Sequence, residues 1–423
     1  MLLLKYIREN KEDVVSRLKI KNFDASQIVE DLLNADSDRR NAQKQLDDTL
    51  AVSKQLAKEI GMLFKNGEKE KAEETRNKST QLKQTAKELE NTMNVAAEKV
   101  KSLLLELPNL PHESVPPGKS EADNQITYEE GNIPELTESK LPHWELTEKY
   151  QIIDFDLGSK VTGAGFPFYR GKGARLQRAL INFFLNEATD KGYVEYQTPL
   201  LINETSAYGT GQLPDKEGQM YHATEDNLYL IPTAEVPLTN IYRNTILKES
   251  DLPIKNVGYS NCFRREAGSY GKDVRGLNRL HQFDKVEIVH IEHPEKSYET
   301  LEVMKNYVAD LLRKLELPFR ILRLCGGDVS FTAAITYDFE VYSAAQERWL
   351  EVSSVSNFET FQTNRMMLRF KDKEGKTQLA HTLNGSALAL PRIVAALLEN
   401  NQTANGIKIP KVLVPYTGFD MID

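Results

Sequence analysis

The sequence predicts an α+β chain: an N-terminal antiparallel helical hairpin, then a largely antiparallel β-sheet flanked by helices. Three features carry that expectation. Residues 24–107 hold only two glycines, Gly61 and Gly67, and no proline. A proline-rich stretch, LPNLPHESVPPGKSEADNQ, follows at once. Beyond about Tyr128, short β-type runs alternate with helical patterns.

The hairpin comes first. Apolar or small residues recur at Ala72, Thr75, Ser79, Leu82, Ala86, Leu89, Met93, Ala96, Val100 and Leu103. Steps of three and four alternate without a break, which is a heptad seam. The first half repeats the pattern less regularly through Ile28, Leu32, Ala35, Leu46, Leu50, Leu56, Ile60 and Leu63. Gly67, in KNGEKE, is placed to stop a helix. Two long helices joined by so short a turn must pack antiparallel. A helix from Ile28 to Phe64 would be about 55 Å long at ~1.5 Å per residue.

Periodicity alone fits a solvated coiled-coil arm. From Asp38 to Leu104, however, 14 Lys or Arg face 11 Asp or Glu, a net of +3 in a chain of net charge −8. The sign suits contact with nucleic-acid phosphate. The expected division is residues 1–110 as an N-terminal domain with its arm over about 28–104, then a linker at 111–127, then a second domain over 128–423.

Composition narrows the class. With 27% charged and 40% hydrophobic residues, 423 residues describe a globular protein of more than one domain. No run of about 18 apolar residues offers a membrane span. MLLLKYIRENKEDVV is neither a secretory signal nor an acid-poor transit peptide. Two cysteines, Cys262 and Cys325, are too few for a cysteine-based zinc site, and no HExxH occurs among the seven histidines. The expectation is a cytoplasmic protein without structural zinc or disulfide.

In the second half, RLQRALINFFLNEATDKG reads as an amphipathic helix closing at Gly192. GYVEYQTPLLI, NLYLIPT, NVGYSNCF, RLHQFDKVEIVHI, FRILRLC, YDFEVYS, RWLEVSSVS and QLAHTLN read as strands. Neither a GxxxxGK[ST] loop nor a strand–GxGxxG–helix unit is present, so P-loop and dinucleotide-binding folds drop out.

Residues 262–289, CFRREAGSYGKDVRGLNRLHQFDKVEIV, hold six Lys or Arg against four Asp or Glu. The cations are Arg264, Arg265, Lys272, Arg275, Arg279 and Lys285. A plain nucleic-acid patch would omit most of the acids. Strand alternation puts Arg279, His281, Phe283, Lys285 and Glu287 on one face. If CFRREAG pairs with this strand, Arg264 and Glu266 join them. Arginine forks phosphate, a phenyl ring offers a stacking surface, and a carboxylate accepts from amino or hydroxyl groups. The strip therefore suits a ligand with a polyanionic end and a flat ring.

These residues resemble a known family. FRREAG…RGLNRLHQFDKVE is similar to motif 2 of class II aminoacyl-tRNA synthetases in its seryl form. HTLNGSALALPRIVAALLENNQ resembles motif 3, GYVEYQTPLLINETSAYGTGQLP resembles motif 1 with its following loop, and IPTAEVPLTN resembles the seryl TxE segment. With the arm, the resemblance spans essentially the whole chain in the correct order.

The resemblance implies a class II sheet domain that makes seryl-adenylate from L-serine and ATP. Serine then passes to the 3′ end of tRNA(Ser), and of tRNA(Sec) where that exists. Arg264 would hold the serine carboxylate and the α-phosphate. Glu266 would accept from the adenine amino group. Phe283 would stack on the ring, and Arg392 would cover its other face and reach the γ-phosphate. Arg265, Leu280, Val352 and Ser353 complete the implied ATP contacts. Glu351 and Ser354 would hold Mg²⁺, a hard cation suited to oxygen ligands. Glu287 and Ser386 would meet the serine hydroxyl, with Thr233, Ala234 and Glu235 near its amino group. A homodimer through motif 1, and an arm that grips tRNA, are implied as well.

Two other readings remain at this level. A class II enzyme for another small amino acid, or a carrier-loading paralogue, would share the motifs, but the paralogue should lack the arm. A non-catalytic RNA-binding scaffold would use the coiled coil without needing Arg264, Glu351 or Arg392.

Overall fold

The computed structural model describes residues 1–136, 140–267 and 275–423. Lys272, one of the six cations of the motif 2 stretch, lies outside them. The chain forms two compact units, Leu2–Lys19 with Phe23–Pro108, and Met1 with Ile20–Asn22 and Asn109–Asp423.

In the first unit, α1 (Ser26–Lys65) and α2 (Lys69–Glu106) form the hairpin. The turn between them contains Gly67 at φ 78°, a left-handed conformation that glycine adopts without cost. All ten seam positions predicted on α2 are buried or half-buried. On α1 the seam runs through Ala42, Leu46, Thr49, Ser53, Leu56, Ile60 and Leu63. Leu50 is 51% exposed, so its place in the predicted seam is corrected to Thr49 and Ser53. Hydrophobicity pointed to Leu50, but the helical period passes it by. Near the base of the hairpin the buried Asp36 carboxylate pairs with Arg8, Arg39 and Arg40 at 2.8–3.0 Å.

The second unit is built on eight strands: β1 (Gln125–Glu130), β2 (Val194–Glu195), β3 (Ile254–Phe263), β4 (Gln282–Glu292), β5 (Phe319–Arg323), β6 (Ile335–Ser343), β7 (Arg348–Glu359) and β8 (His381–Ala389). Their order in the sheet is β1-β5-β6-β7-β8-β4-β3-β2. Every neighbouring pair is antiparallel except β2 with β3. The largely antiparallel expectation holds.

Four helices matter for the site: α3 (His143–Lys149), α4 (Lys172–Asp190), α5 (Glu235–Asn240) and α6 (Leu390–Asn400). On α4, Leu176, Leu180, Phe183 and Phe184 recur at helical spacing and are buried in the same core as Val286 and Ile288 of β4. The helix ends just before Gly192, at φ 83°, as its sequence predicts. Pro391 sits in the first turn of α6, where its missing N–H costs nothing.

Three strand expectations need correction. GYVEYQTPLLI is not one strand: Val194–Glu195 joins the main sheet, and Leu201–Asn203 joins a separate three-stranded sheet. Pro199, between them, has no N–H to give a ladder. The motif 2 strand begins at Gln282, so Arg279 and His281 precede it. QLAHTLN breaks at Ala380 into Thr377–Leu379 and the start of β8.

Candidate active site

β3 and β4 form the motif 2 hairpin, with Phe283 opposite Cys262 and Glu287 opposite Gly258. From Gln282 onward the predicted alternation holds. Phe283, Lys285 and Glu287 line the site, while Val286 and Ile288 enter the core and Asp284 meets Gln177 of α4 at 2.8 Å. On the neighbouring strand, β8 places Ser386 opposite Glu287.

At the inner end a polar pocket gathers side chains from four elements: β4, β8, α5 with the turn before it, and the short helix Phe361–Met366. The Glu287 carboxylate accepts from Lys285 Nζ at 2.6 Å and from Asn384 Nδ2 at 2.9 Å. The hydroxyls of Thr233 and Ser386 stand at 3.4 Å from its Oε2. Asn384 also donates to Glu235 at 3.0 Å, so one amide bridges both carboxylates. Gln362 donates to the other Glu235 oxygen at 2.7 Å. Burial, then the Glu287 charge, pushes Glu235 up to about 7. The backbone around Thr233–Glu235 turns into α5, and Thr233 Oγ1 accepts the Glu235 N–H at 3.2 Å. Thr233, Ala234, Glu235, Glu287 and Ser386 are all buried. The four polar residues predicted for one amino acid do converge.

At the outer end the predicted residues are present but differently engaged. The Arg264 guanidinium lies over the Phe283 ring, 5.2 Å from its centre, and its Nε donates to Pro232 O at 3.4 Å. Glu266, at φ 47°, turns off the strand and pairs with Arg279 at 2.8 Å. Alternation put Glu266 and Arg279 on one strand face, whereas a turn and a loop bring them together. The Arg265 N–H donates to Gln219 O, and Leu280 is buried in the core. Arg392 donates from Nε to Asn278 O at 3.0 Å and from Nη1 to Glu351 O at 2.8 Å. Burial lowers its pKa, although the Glu351 charge opposes this.

Glu351 and Ser354 are three apart on β7, so a regular strand would point them to opposite faces. The register shifts between them: Phe339 pairs with Ser353 and Glu340 with Glu351, leaving Val352 as the extra residue of a bulge. The Ser354 hydroxyl thereby lies 3.5 Å from the Glu351 carboxylate. Val352 and Ser353 are buried, and Ser353 donates to Ser386 O at 2.6 Å, tying this edge to the inner pocket. Across the ladder from Ser354 is Asp338. Burial, then the Glu351 charge, raises its carboxyl well above the usual range, and its Oδ1 has no hydrogen-bond partner.

Sequence reading missed Asn384, Gln362 and Asp338, and gave Lys285 no role. Asn384 stands two residues before Ser386 on one strand, so period-two alternation could have found it, as it did place Lys285 on the Glu287 face. Gln362 comes from a helix with no local signal, and Asp338 from a predicted strand outside the motifs.

Known proteins resemble this chain over its whole length. Residues 1–111 match the family model for the seryl-tRNA synthetase N-terminal domain, and residues 219–401 match the tRNA synthetase class II core domain (G, H, P, S and T). A serine–tRNA ligase of Salinibacter ruber is 50% identical, covering 100% of this chain and 99% of its own length. That of Akkermansia muciniphila is 47% identical with the same coverage. The solved seryl-tRNA synthetase of Pyrococcus horikoshii, complexed with ATP, superposes with a TM-score of 0.93 at 35% identity, over 100% of this chain and 99% of its own. Arm, motif order and full-length identity leave one assignment: the chain belongs to the seryl-tRNA synthetase family.

Proposed function

We infer that this chain is a serine–tRNA ligase: it activates L-serine with ATP to seryl-adenylate and transfers the serine to the 3′ end of tRNA(Ser). The observation that carries this reading is the convergence of Thr233, Glu235, Glu287 and Ser386 on one buried pocket beside Arg264. A buried hydrogen-bonding site can reject a substrate lacking its hydroxyl by about four decades, which an apolar pocket cannot do.

Glu287 and Ser386 receive the serine hydroxyl, and Thr233 with Glu235 receives the ammonium. Arg264 holds the carboxylate against the α-phosphate, so two anions meet without mutual repulsion. The carboxylate attacks phosphorus and pyrophosphate leaves. Catalysis is positioning and electrostatic stabilisation, with no protein nucleophile. For adenine to stack on Phe283, Arg264 must leave the ring face it now covers, and binding of the two anions supplies the reason. Glu266 accepts from the adenine amino group, and Arg392 covers the other ring face and reaches the γ-phosphate.

Glu351 and Ser354 would hold Mg²⁺, and Asp338 beside them, whose Oδ1 has no hydrogen-bond partner, fits a cation. The ion would neutralise phosphate charge. Among the described residues no group of three or more His, Cys, Asp or Glu could hold a metal unaided. A cation shared with substrate phosphates is the form Mg²⁺ prefers.

Residues 1–110 serve as the tRNA-binding domain, the enzyme is a homodimer, and it works in the cytoplasm. Among the described residues no helix is long and apolar enough to cross a membrane. The deciding experiment is ATP–pyrophosphate exchange with serine, threonine, alanine and glycine tested separately. Serine alone should support fast exchange without tRNA. Equal rates with all four, or a wild-type rate in Arg264→Ala, would reject the reading.

A further inference from the structure

We propose that Lys285 is a positioning residue for amino-acid selection: its ammonium pairs with Glu287 and holds that carboxylate as a charged acceptor for the substrate hydroxyl. The proposal rests on the seryl reading of the same pocket.

The geometry is specific. The Lys285 and Glu287 side chains are 7% and 0% exposed, and their 2.6 Å contact is the shortest that Glu287 makes. The titratable and charged groups around Glu287 come from each packed element. Lys285 is on its own strand, Cys262 on β3, Arg264 just beyond β3, and Glu235 on α5. Burial raises the Cys262 thiol, so it stays neutral near pH 7. Above about pH 7, where Glu235 ionises, that leaves two cations against two carboxylates. A zwitterionic substrate adds one charge of each sign, and the enclosed site stays balanced.

Without Lys285, two adjacent carboxylates would face one guanidinium. Like charges in a poorly solvated site retain a proton between them. Lys285 is one of the charges that lower Glu235 against the effect of burial, and its loss would let that carboxyl keep its proton to higher pH. A protonated carboxyl gives up acceptor capacity where a hydroxyl and an ammonium both need it. Stability does not account for the pair, because well-packed apolar residues can usually replace a buried ion pair without loss. A pocket that must read a hydroxyl does account for it.

The test is serine-dependent pyrophosphate exchange between pH 6 and 8.5 at saturating ATP, in wild type, Lys285→Met and Lys285→Arg. In Lys285→Met the acid limb of kcat/KM for serine should move up by at least one pH unit. The loss should be at least tenfold at pH 7 and shrink toward pH 8.5. The KM for ATP should change less than threefold, and the preference for serine over alanine should fall. Lys285→Arg, which keeps the charge, should retain the wild-type limb.

A uniform loss with the limb unmoved would make Lys285 merely structural and overturn the proposal. If Lys285→Met does not fold, the double variant Lys285→Met with Glu287→Gln decides. Recovery of folding supports the counter-ion role, and failure of both overturns it. A wild-type protein without serine-dependent exchange would remove the functional reading itself, which is a different outcome from an active wild type with an unshifted variant.

Discussion

His143 Nε2 accepts the backbone N–H of Leu277 at 2.8 Å, and this fixes the ring proton on Nδ1, which Glu399 accepts at 2.7 Å. Both side chains are fully buried. The contact joins the last turn of α6 to the returning leg of the motif 2 loop. Gly276 lies beneath it at φ 67°, where a Cβ would fall 2.2 Å from His143 Nε2. Arg392, in the first turn of the same helix, holds the neighbouring Asn278 carbonyl.

His143→Leu should therefore leave a buried N–H without an acceptor and Glu399 without a ring donor. The expected cost is about 1–3 kcal/mol for the orphaned amide, read by urea unfolding. His143→Gln, which can still accept at the ε position, should recover part of it. Equal stability of the Leu variant and the wild type would show that the contact does not anchor the loop.

Serine binding should depend on pH through Glu235. Its folded pKa, about 7, lies above the ordinary carboxyl value, so the native ligand-free protein holds this proton more tightly than the unfolded chain. That contribution to stability is complete below about 4.5 and is lost as pH rises through 7. An incoming ammonium needs the carboxylate. The KM for serine should then fall as pH rises from 6 to 8, approaching tenfold per unit on the acid side. Calorimetry in two buffers should show a proton released on binding near pH 7, and the release should vanish in Glu235→Gln.

The Glu351 edge yields a prediction about metal. Chelation should abolish exchange and added Mg²⁺ should restore it, with Glu351→Gln needing far more. Burial, then the Glu351 charge, raises the Asp338 carboxyl well above the usual range, which favours its protonated form. Asp338→Asn should cost less than about 1 kcal/mol at pH 7, within the range of mild substitutions. It should nonetheless raise the Mg²⁺ concentration needed for half-maximal exchange. A large stability loss with unchanged Mg²⁺ dependence would assign Asp338 a structural role.

Much of this was legible because period and chemistry coincide. The α2 seam follows steps of three and four that only a helix satisfies, and on β4 the alternation sorted Phe283 and Glu287 from Val286 and Ile288. Periodicity is silent where the backbone departs from it. The bulge at Val352 brings Glu351 to Ser354, and the positive φ of Glu266 turns it toward Arg279. Neither event has a signature in residue type. Leu50 misled for the opposite reason, being apolar on an exposed face.

Dimerisation is expected through the motif 1 region. Val194, Leu200 and Leu201 are 56%, 38% and 44% exposed within one chain, and Pro199 lies among them. A closed two-fold pair is the commonest assembly of soluble chains. Sedimentation should give a dimer at micromolar concentration, and Leu201→Glu should shift it toward monomer. A fully active wild-type monomer would oppose this.

The arm should matter for tRNA and not for adenylate formation. At ~1.5 Å per residue, the 40 residues of α1 span about 60 Å, while every residue assigned to serine or ATP belongs to the second compact unit. On the shaft, Leu46, Leu50 and Ser53 line a shallow groove with Lys83, Lys87 and Glu90. Nearer the tip, Lys71 is ion-paired with Glu68 at 2.6 Å, which offsets its charge. Deleting residues 46–87 and closing the gap with a short Gly/Ser bridge removes shaft and tip but spares the Asp36 cluster. Pyrophosphate exchange should stay within a few-fold of wild type, and tRNA charging should collapse through KM for tRNA. Backbone contacts release counterions, so the double substitution Lys83→Ala with Lys87→Ala should flatten the salt dependence of charging by up to about two units of slope. It should also weaken charging more than Lys69→Ala with Lys71→Ala does. Normal charging by the deletion variant would reduce the arm to a solvated coiled coil, the reading its periodicity alone permits.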